Sequence, residues 1–238
     1  MKLTTLLRTS KVFDVQGLID QFKSRILGYI EYRTSAIYHA DATTLLDIER
    51  QYGRFLKAIG ISKKQALDMY KLAPLNARRD MAMLGVIHRA VLGEGPAQIQ
   101  KYFQLSSENL HPNGRNLLRR HNRQLSSYRK GKFLETTARS ILGLVDVYNM
   151  LPQKIVDAGS VKIFQGMLQG LMKEQGCSAD DWETLFSPRH ALHAHPLARL
   201  LSKVGTTGTM QISMPSPGLE TDSIDMGDTS DDRPPSWW

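Results

Sequence analysis

The stretch that decides the fold is LAPLNARRDMAMLGVIHRAVLG, residues 72–93. Pro74 fits the first turn of a helix, where its missing N–H would have no partner anyway, and Gly93 can close the helix. Between them, apolar residues recur every three or four positions and cover most of the helix surface. A helix that is apolar on most sides is typical of a central position, with other helices packed around it. The spacing therefore predicts a central helix over 75–92.

The first turn of this helix carries two adjacent cations, Arg78 and Arg79, followed by Asp80. Cations are disfavoured at the positive end of a helix dipole, so both guanidinium groups need an anionic partner. That partner is either a carboxylate inside the protein or a phosphate outside it, and internal ion pairs are the commoner outcome. If the two side chains face outward, they would extend a nucleic-acid-binding surface.

Apolar residues recur at helical spacing through most of the remaining chain, and no stretch predicts a strand. Residues that commonly cap helices precede several of these segments. The predicted caps are Asp14, Asp41 or Thr43, Ser62 with Gln65 as a capping box, Thr136 or Thr137, and Ser160. The sequence therefore predicts an all-α fold of two helical groups joined by a basic linker, with a disordered acidic C-terminal tail. The predicted bounds are 1–105 for the first group, 106–132 for the linker, 133–203 for the second group and 204–238 for the tail.

Charge is distributed unevenly along the chain. The 238 residues carry a formal net charge of +8, yet the tail contains six acids and only one arginine. The tail acids are Glu220, Asp222, Asp225, Asp228, Asp231 and Asp232. Residues 1–203 therefore carry a net charge of +13, which indicates a polyanionic partner such as a nucleic acid or an anionic membrane surface. A basic protein with dispersed, solvated charge is the alternative.

The basic linker is the strongest candidate for contacting a polyanion. Residues 111–132 contain seven cations and no acid. The cations are Arg115, Arg119, Arg120, Arg123, Arg129, Lys130 and Lys132. Such a segment would bind phosphates and release counterions, and Tyr128 could stack on a base. Pro112 and Gly114 mark a turn, so we expect an exposed connection that is partly helical at 117–124. A solvated linker without a ligand has the same composition.

Histidines do not indicate a metal site in this chain. His190, His193 and His195 lie close together, a spacing that can bind zinc or nickel, but no cysteine or acid lies within reach in sequence. They are therefore predicted to form a surface cluster. His88 lies among the apolar residues of the central helix and is predicted to be a hydrogen-bonded core or edge histidine. No cofactor or metal is expected.

Three stretches together resemble the region that follows the reverse-transcriptase domain in non-LTR retrotransposon polyproteins. They are YIEYRTSAIYHA at 29–40, the helical segment at 45–59, and LAPL followed by RRDMAMLGVIHRAVLG within 72–93. The pattern is an aromatic basic helix, a helix with regular leucine and aromatic spacing, and an apolar-Pro-Leu entry into an Arg-Arg-Asp helix. The resemblance covers about residues 15–105, and more loosely 134–188 through LGLVDVYNMLP. It implies thumb-like and connecting helices downstream of the polymerase.

The reverse-transcriptase family holds its catalytic metal ions on an aromatic-Ala-Asp-Asp motif, and this chain departs from that motif. Ser178 occupies the aromatic position before Ala179, Asp180 and Asp181, and the flanking residues predict a helix start, where acids are common. The zinc knuckle that the family carries downstream would need several cysteines, and Cys177 is the single cysteine here. We therefore expect that the chain is not an enzyme.

The expected function is non-catalytic binding of template RNA or target DNA through the phosphate backbone, as the resemblance implies. The resemblance also leaves open an inactive remnant. The alternative is a helical module that binds an acidic protein partner and has no nucleic-acid role. No small-molecule substrate is indicated, and the longest apolar run, 81–87, is too short to span a membrane. A nuclear or cytoplasmic, intracellular location is expected. Mitochondrial targeting is the alternative, because the first acid is Asp14.

Overall fold

The computed structural model describes residues 2–8, 12–32, 34–106, 121–128, 134–176 and 182–204. Within these ranges the regular secondary structure is helical, and β-structure is limited to one isolated antiparallel bridge between Leu105 and Leu125. The prediction of an all-α fold is therefore confirmed. The predicted acidic tail beyond Val204 lies outside the described residues, as does Cys177 with the Asp-Asp pair that follows it.

Eight helices of the described chain precede the basic linker. Their bounds are α1 Lys2–Arg8, α2 Val15–Phe22, α3 Gly28–Glu31, α4 Thr34–Ile37, α5 Ala42–Ala58, α6 Lys63–Tyr70, α7 Leu75–Val91 and α8 Ala97–Gln100. A π-helical turn, Lys23–Leu27, joins α2 to α3. The chain is therefore helical without interruption from 15 to 31.

Three predicted caps begin helices in this first group. Asp14 begins α2 and Asp41 begins α5, each with a carboxylate that accepts the backbone N–H three residues later, at 2.8 and 2.7 Å. Ser62 and Gln65 form both bonds of the capping box at α6, at 3.1 and 2.9 Å. All three predictions are confirmed. A cap can be predicted from a local pattern because it satisfies backbone groups that lie within the same few residues.

Five more helices follow the linker in the described chain. Their bounds are α9 Leu134–Ala138, α10 Leu144–Met150, α11 Gln153–Val156, α12 Val161–Gly176 and α13 Pro196–Val204. The predicted cap at Ser160 is confirmed, because its hydroxyl accepts the N–H of Ile163 at 3.3 Å. The predicted cap at Thr136 or Thr137 is wrong. Both threonines lie inside α9, and Ser140 begins the next helical turn, Ile141–Gly143, instead. The sequence did not distinguish these residues because all of them precede the same apolar run.

Two clusters of buried side chains form the core. The first lies between α1, α2, α5, α6 and the start of α7, where the rings of Phe22 and Phe55 stack with centroids 4.2 Å apart. The second surrounds the rest of α7 and is formed mainly by α10, α11, α12 and α13. Leu75 of α7 belongs to the first cluster, and the residues from Ala77 to Ala90 supply the second. The two helical groups therefore pack on one shared helix.

Helix α7 lies centrally, as predicted. Of its seventeen residues, twelve are buried, which matches an apolar pattern that covers most of the helix surface. Gly85 allows α12 to approach closely, because a side chain at Gly85 would overlap Gln165 and would lie 3.1 Å from Cγ1 of Val161. Gly93 follows α7 in the left-handed region, with φ of 79°, where glycine is favoured.

His88 is a core histidine, as predicted. Its ring stacks on Phe164 with centroids 4.1 Å apart, its Nε2–H donates to the carbonyl of Ala158 at 2.9 Å, and its Nδ1 accepts from the Tyr148 hydroxyl at 3.1 Å. Burial lowers the pKa of His88, so the neutral ring is favoured. The histidine joins α7 to α10 and to the loop before α12.

The predicted surface cluster of histidines is wrong for one member. His193 is exposed, but His195 is fully buried. The Nε2–H of His195 donates to the carbonyl of Ser187 at 3.0 Å, and its Nδ1 accepts the N–H of Leu197 at 3.2 Å. The imidazole thus satisfies backbone groups at the start of α13, which a sequence spacing alone does not indicate.

Candidate functional site

Ten residues were predicted from the sequence to contact nucleic acid, and the structure describes four of them. These four are Arg78, Arg79, Arg123 and Tyr128. The other six lie outside the described residues: Arg115, Arg119, Arg120, Arg129, Lys130 and Lys132. In sequence these six flank the described residues 121–128 on both sides.

Residues 121–128, called the docked segment below, pack against the folded body. Leu125 is 2% exposed, and the side-chain amide of Asn149 binds both its N–H and its carbonyl, at 2.8 Å each. His121 is 3% exposed, and its Nε2–H donates to the carbonyl of Tyr148 at 3.1 Å. Both partners belong to α10, so this helix holds the docked segment by side-chain and backbone groups together.

A second pair of bonds ties the docked segment to α11. The side-chain amide of Gln153 accepts the backbone N–H of Asn122 at 2.8 Å and donates to the Asn122 side chain at 2.9 Å. The predicted exposed, partly helical connection at 117–124 is therefore wrong for its described part, 121–124. The backbone N–H of Asn122 is bound by a side chain 31 residues along the chain, and that of Arg123 by the His121 side chain at 3.2 Å, so these bonds take the place of the backbone bonds of a helix.

Arg123 is the one cation of the basic linker that lies within the described residues. Its side chain is half-buried, and its Nη1 donates to the carbonyl of Val156 at 3.1 Å. Burial lowers the pKa of both His88 and His121, and the positive charge of Arg123 adds to this effect. Arg123 therefore has a structural role next to these histidines.

Two residues that the sequence analysis did not select lie beside Tyr128. The Tyr128 hydroxyl donates to the carbonyl of Tyr102 at 2.7 Å. Tyr102 is 47% exposed, and the Lys101 ammonium lies over its ring, 5.0 Å from the centroid. An exposed ring beside a cation is suited to stacking on a base while binding a phosphate. The sequence signal that could have indicated this pair is an adjacent cation and aromatic residue, Lys101 and Tyr102, near the end of the first helical group and shortly before the basic linker.

Arg78 is buried and paired inside the protein. Its Nη2 donates to Oε2 of Glu31 at 2.9 Å, and its Nε donates to the other oxygen of the same carboxylate. Only 2% of the Arg78 side chain is exposed. This bidentate geometry is the strong form of an arginine–carboxylate bond. The interpretation that Arg78 extends a nucleic-acid surface required an outward orientation, and the side chain does not have one.

Arg79 points towards helix α5. Its Nη2 lies 3.4 Å from Oε1 of Glu49 in α5, and 5% of its side chain is exposed. Burial raises the pKa of Glu49, while the positive charge of Arg79 lowers it. Arg79 is thus also oriented inward. The sequence left two alternatives for the partner of these arginines, and both have an internal carboxylate.

Asp80 completes this buried polar group. Its carboxylate accepts a bond from the Tyr38 hydroxyl at 2.8 Å, and burial raises the pKa of Asp80 to about 7. A cavity of about 180 Å³ lies beside it, lined by Tyr38, Glu49, Asp80 and Arg189 among others. Perturbed carboxyl groups in a cleft are found in catalytic sites and in structural ion-pair networks alike. Here Asp80 holds Tyr38, and Arg189 donates to the backbone of the same segment at 2.9 Å, which is a structural arrangement.

Neither a metal-ligand cluster nor a membrane-spanning helix is found among the described residues. Among them, no group of three histidine, cysteine, aspartate or glutamate side chains is placed to hold a metal ion. None of the described helices is long and apolar enough to cross a membrane.

Comparisons with known proteins add no relationship to these observations. No protein-family model matches the chain, and no significant match was found among curated proteins or among solved structures. The candidate site therefore rests on the residues themselves: the docked segment, the basic runs that flank it, and the Lys101–Tyr102 pair beside Tyr128.

Proposed function

We propose that this protein binds nucleic acid without catalysing a reaction on it, and that its basic linker contacts the phosphate backbone. The observation that carries the proposal is the distribution of charge. Seven cations without an acid lie in 111–132, within a body of net charge +13. Such a charge attracts phosphates and displaces their counterions, a term that supplies most of the affinity in sequence-independent binding.

The docked segment supports this proposal. It is held to α10 and α11, and the six other cations of the linker directly precede and follow it in sequence. A basic segment with an anchored centre loses less conformational entropy on binding than a free linker of the same length. The exposed ring of Tyr102, beside Lys101, adds a surface on which a base can stack.

The proposal includes the resemblance to the region after the polymerase in non-LTR retrotransposons. The three stretches that carry the resemblance are in contact with one another through Arg78, Arg79 and Asp80. These three bind Glu31, Glu49 and Tyr38, which belong to the other two stretches. The resemblance therefore concerns one packed unit. In such an element the region would hold template RNA or target DNA near the polymerase.

The experiment is a salt titration of the full-length chain with labelled RNA, single-stranded DNA and duplex DNA. The test variant changes Arg119, Arg120 and Arg129 to glutamine and leaves Arg123 in place, because Arg123 bonds to the Val156 carbonyl. We expect the affinity to fall steeply between about 50 and 200 mM salt, and the variant to lose both affinity and part of the slope.

A matched control removes the same charge elsewhere. Arg54, Lys57 and Lys64 are exposed cations of α5 and α6, and changing all three to glutamine lowers the net charge equally. If binding depends on the basic linker, the control keeps most of the affinity and slope that the test variant loses. Equal losses in the two variants would show a dispersed charge effect, and no binding near physiological salt would refute the proposal.

A further inference from the structure

A groove lies on the side of α7 that faces away from Asp80, between the residues after α3 and helix α12. It has a volume of about 170 Å³. Its walls include Tyr32, Ser35, Met81, Ala82, Val86 and Gln165. Tyr32 is 77% exposed, so its ring forms an accessible wall. None of these residues was selected in the sequence analysis as a functional residue.

The size and lining of the groove suit one aromatic ring system. Met81 and Met83 are buried in its floor and Ala82 and Val86 are half-buried, which makes the floor apolar. Ser35 and Gln165 add polar groups among the lining residues. An engineered apolar cavity of about 150 Å³ accepts benzene. A nucleobase has the same character, with apolar faces and polar edges.

The charges around the groove favour a polyanion. Arg89 follows Val86 by one turn of α7, and Lys162 precedes Gln165 by one turn of α12; both cations are exposed. Among the described residues, Glu31 is the acid that lines the groove, and it is bound by the buried Arg78. The carboxylate inside the groove is therefore compensated, and two exposed cations lie one helical turn from residues that line it.

We propose that this groove receives an unpaired base of a single-stranded nucleic acid, stacked on the ring of Tyr32. The neighbouring cations Arg89 and Lys162 would contact the flanking phosphates. The inference rests on the proposed function and adds to it that the bound strand is single, because a base within a duplex has no exposed face to offer. Aromatic side chains contribute to single-strand binding by such stacking, and they do so for every base.

The test compares oligonucleotides of equal length that carry bases with a strand that carries none. Full-length protein is titrated with a twelve-nucleotide uridine RNA, a thymidine DNA of the same length, and an abasic DNA strand with the same phosphates. We expect roughly 5- to 150-fold tighter binding of the strands that carry bases, the ratio that stacking of one base provides. The RNA and DNA arms show which sugar the protein prefers.

Substitutions of two tyrosines test whether the preference for strands that carry bases arises at the groove. Tyr32→Leu should remove most of the preference for bases, and Tyr32→Phe should keep it, because the ring and not the hydroxyl does the stacking. Tyr29→Leu is the matched control, since Tyr29 lies three residues before Tyr32 and is 71% exposed but does not line the groove. Both tyrosine side chains are largely solvent-exposed, so the fold is preserved in all three variants. Duplex affinity and salt slope should be equal in all variants.

The outcomes separate this inference from the proposed function. If the parent binds strands with and without bases equally, or if Tyr29→Leu and Tyr32→Leu have equal effects, the groove proposal is refuted while phosphate binding stands. If no polyanion binds, both proposals fail. As a direct check, the ¹³C-methyl signals of Met81 and Met83 should shift with the uridine strand and not with the abasic strand. Shifts caused by an apolar helical peptide alone would assign the groove to a protein partner and overturn the proposal.

Discussion

Arg78, Arg79 and Asp80 show how three consecutive residues connect three different parts of the chain. Arg78 binds Glu31 at the end of α3, Arg79 contacts Glu49 in α5, and Asp80 accepts from Tyr38 after α4. All three side chains are buried at the start of α7. Buried charges are tolerated when they are paired and hydrogen-bonded. The polar triplet therefore determines how the preceding helices are oriented on the central helix.

Removing one partner of the Arg78–Glu31 pair should be costly. Only 2% of the Arg78 side chain is exposed, and Glu31→Gln leaves its guanidinium without a carboxylate partner. We therefore expect the free energy of unfolding to fall by about 3 kcal/mol. The double variant Arg78→Met/Glu31→Leu should recover most of this loss, because it removes both charges. Urea unfolding at constant pH measures both.

The exposed pair Arg50–Asp47 provides the control for this prediction. Its side chains are 62% and 68% exposed, and Asp47→Asn should change the free energy of unfolding by less than about 1 kcal/mol. Equal effects of Glu31→Gln and Asp47→Asn would contradict the importance of the buried pair.

Asp80 should make stability depend on pH. Burial raises its pKa from the ordinary 3.8 to about 7 in the folded protein, so the folded state holds a proton that the unfolded state releases between these values. The contribution of Asp80 to stability is therefore full below about pH 4 and is lost as the pH rises through about 7. Asp80→Asn cannot ionise but can still accept from Tyr38.

The difference in unfolding free energy between Asp80→Asn and the parent measures this effect. The variant should gain relative stability as the pH rises from about 4 to about 7, with a slope that approaches about 1.4 kcal/mol per pH unit. Effects of His88 and His121, whose pKa values are lowered by burial, cancel in the difference. Parallel stability curves for the two proteins would show that Asp80 has the same pKa folded and unfolded.

At the scale of elements, the close contact before α10 depends on a glycine. A Cβ at Gly143 would lie 2.7 Å from the carbonyl oxygen of Thr137 and 2.8 Å from Cα of Ala138, and both are backbone atoms of the α9 helix that cannot rotate away. Gly143→Ala should therefore lower the free energy of unfolding by about 1–3 kcal/mol. The midpoint of urea unfolding should fall while the m-value stays the same.

Gly166 in α12 is the matched control for this prediction. No atom lies within 4 Å of a Cβ built at Gly166, and the residue is exposed. Gly166→Ala should raise stability by up to about 1 kcal/mol, because alanine has the higher helix propensity. If both substitutions change stability in the same direction, crowding at Gly143 is not the cause.

For the whole molecule, the opposite charges of the body and the tail suggest competition for the same partner. The tail carries six acids and the rest of the chain has a net charge of +13. The attraction between opposite charges is strong at low salt and screened at high salt. Deleting residues 205–238, which follow the last helix, should therefore raise the affinity for RNA at low salt and leave it unchanged at high salt.

A full-length variant with all six tail acids changed to their amides separates charge from chain length. It should bind at least as tightly as the truncated chain, because it loses the same six negative charges and keeps Arg233. If the truncated chain and the parent bind RNA equally at low salt, the tail does not compete with nucleic acid.

The all-α fold and most of the helix caps could be predicted from the sequence, but the candidate site could be predicted only in part. The caps at Asp14, Asp41 and Ser62 depend on groups three residues away, so a local pattern is sufficient. Tyr38 and Asp80 are 42 residues apart, and Asn122 and Gln153 are 31 residues apart. The local sequence around any one of these residues does not indicate which distant residue it binds.

The sequence by itself determined the all-α class, the central position of α7 and the uneven charge, because these follow from residue spacing and composition. The tertiary structure decided that Arg78 and Arg79 face carboxylates, that residues 121–128 dock on α10 and α11, and that a groove opens beside Tyr32. The physical reason is the range of the interactions. Helices form from bonds between near neighbours, whereas burial, ion pairing and groove shape depend on which distant segments fold onto one another.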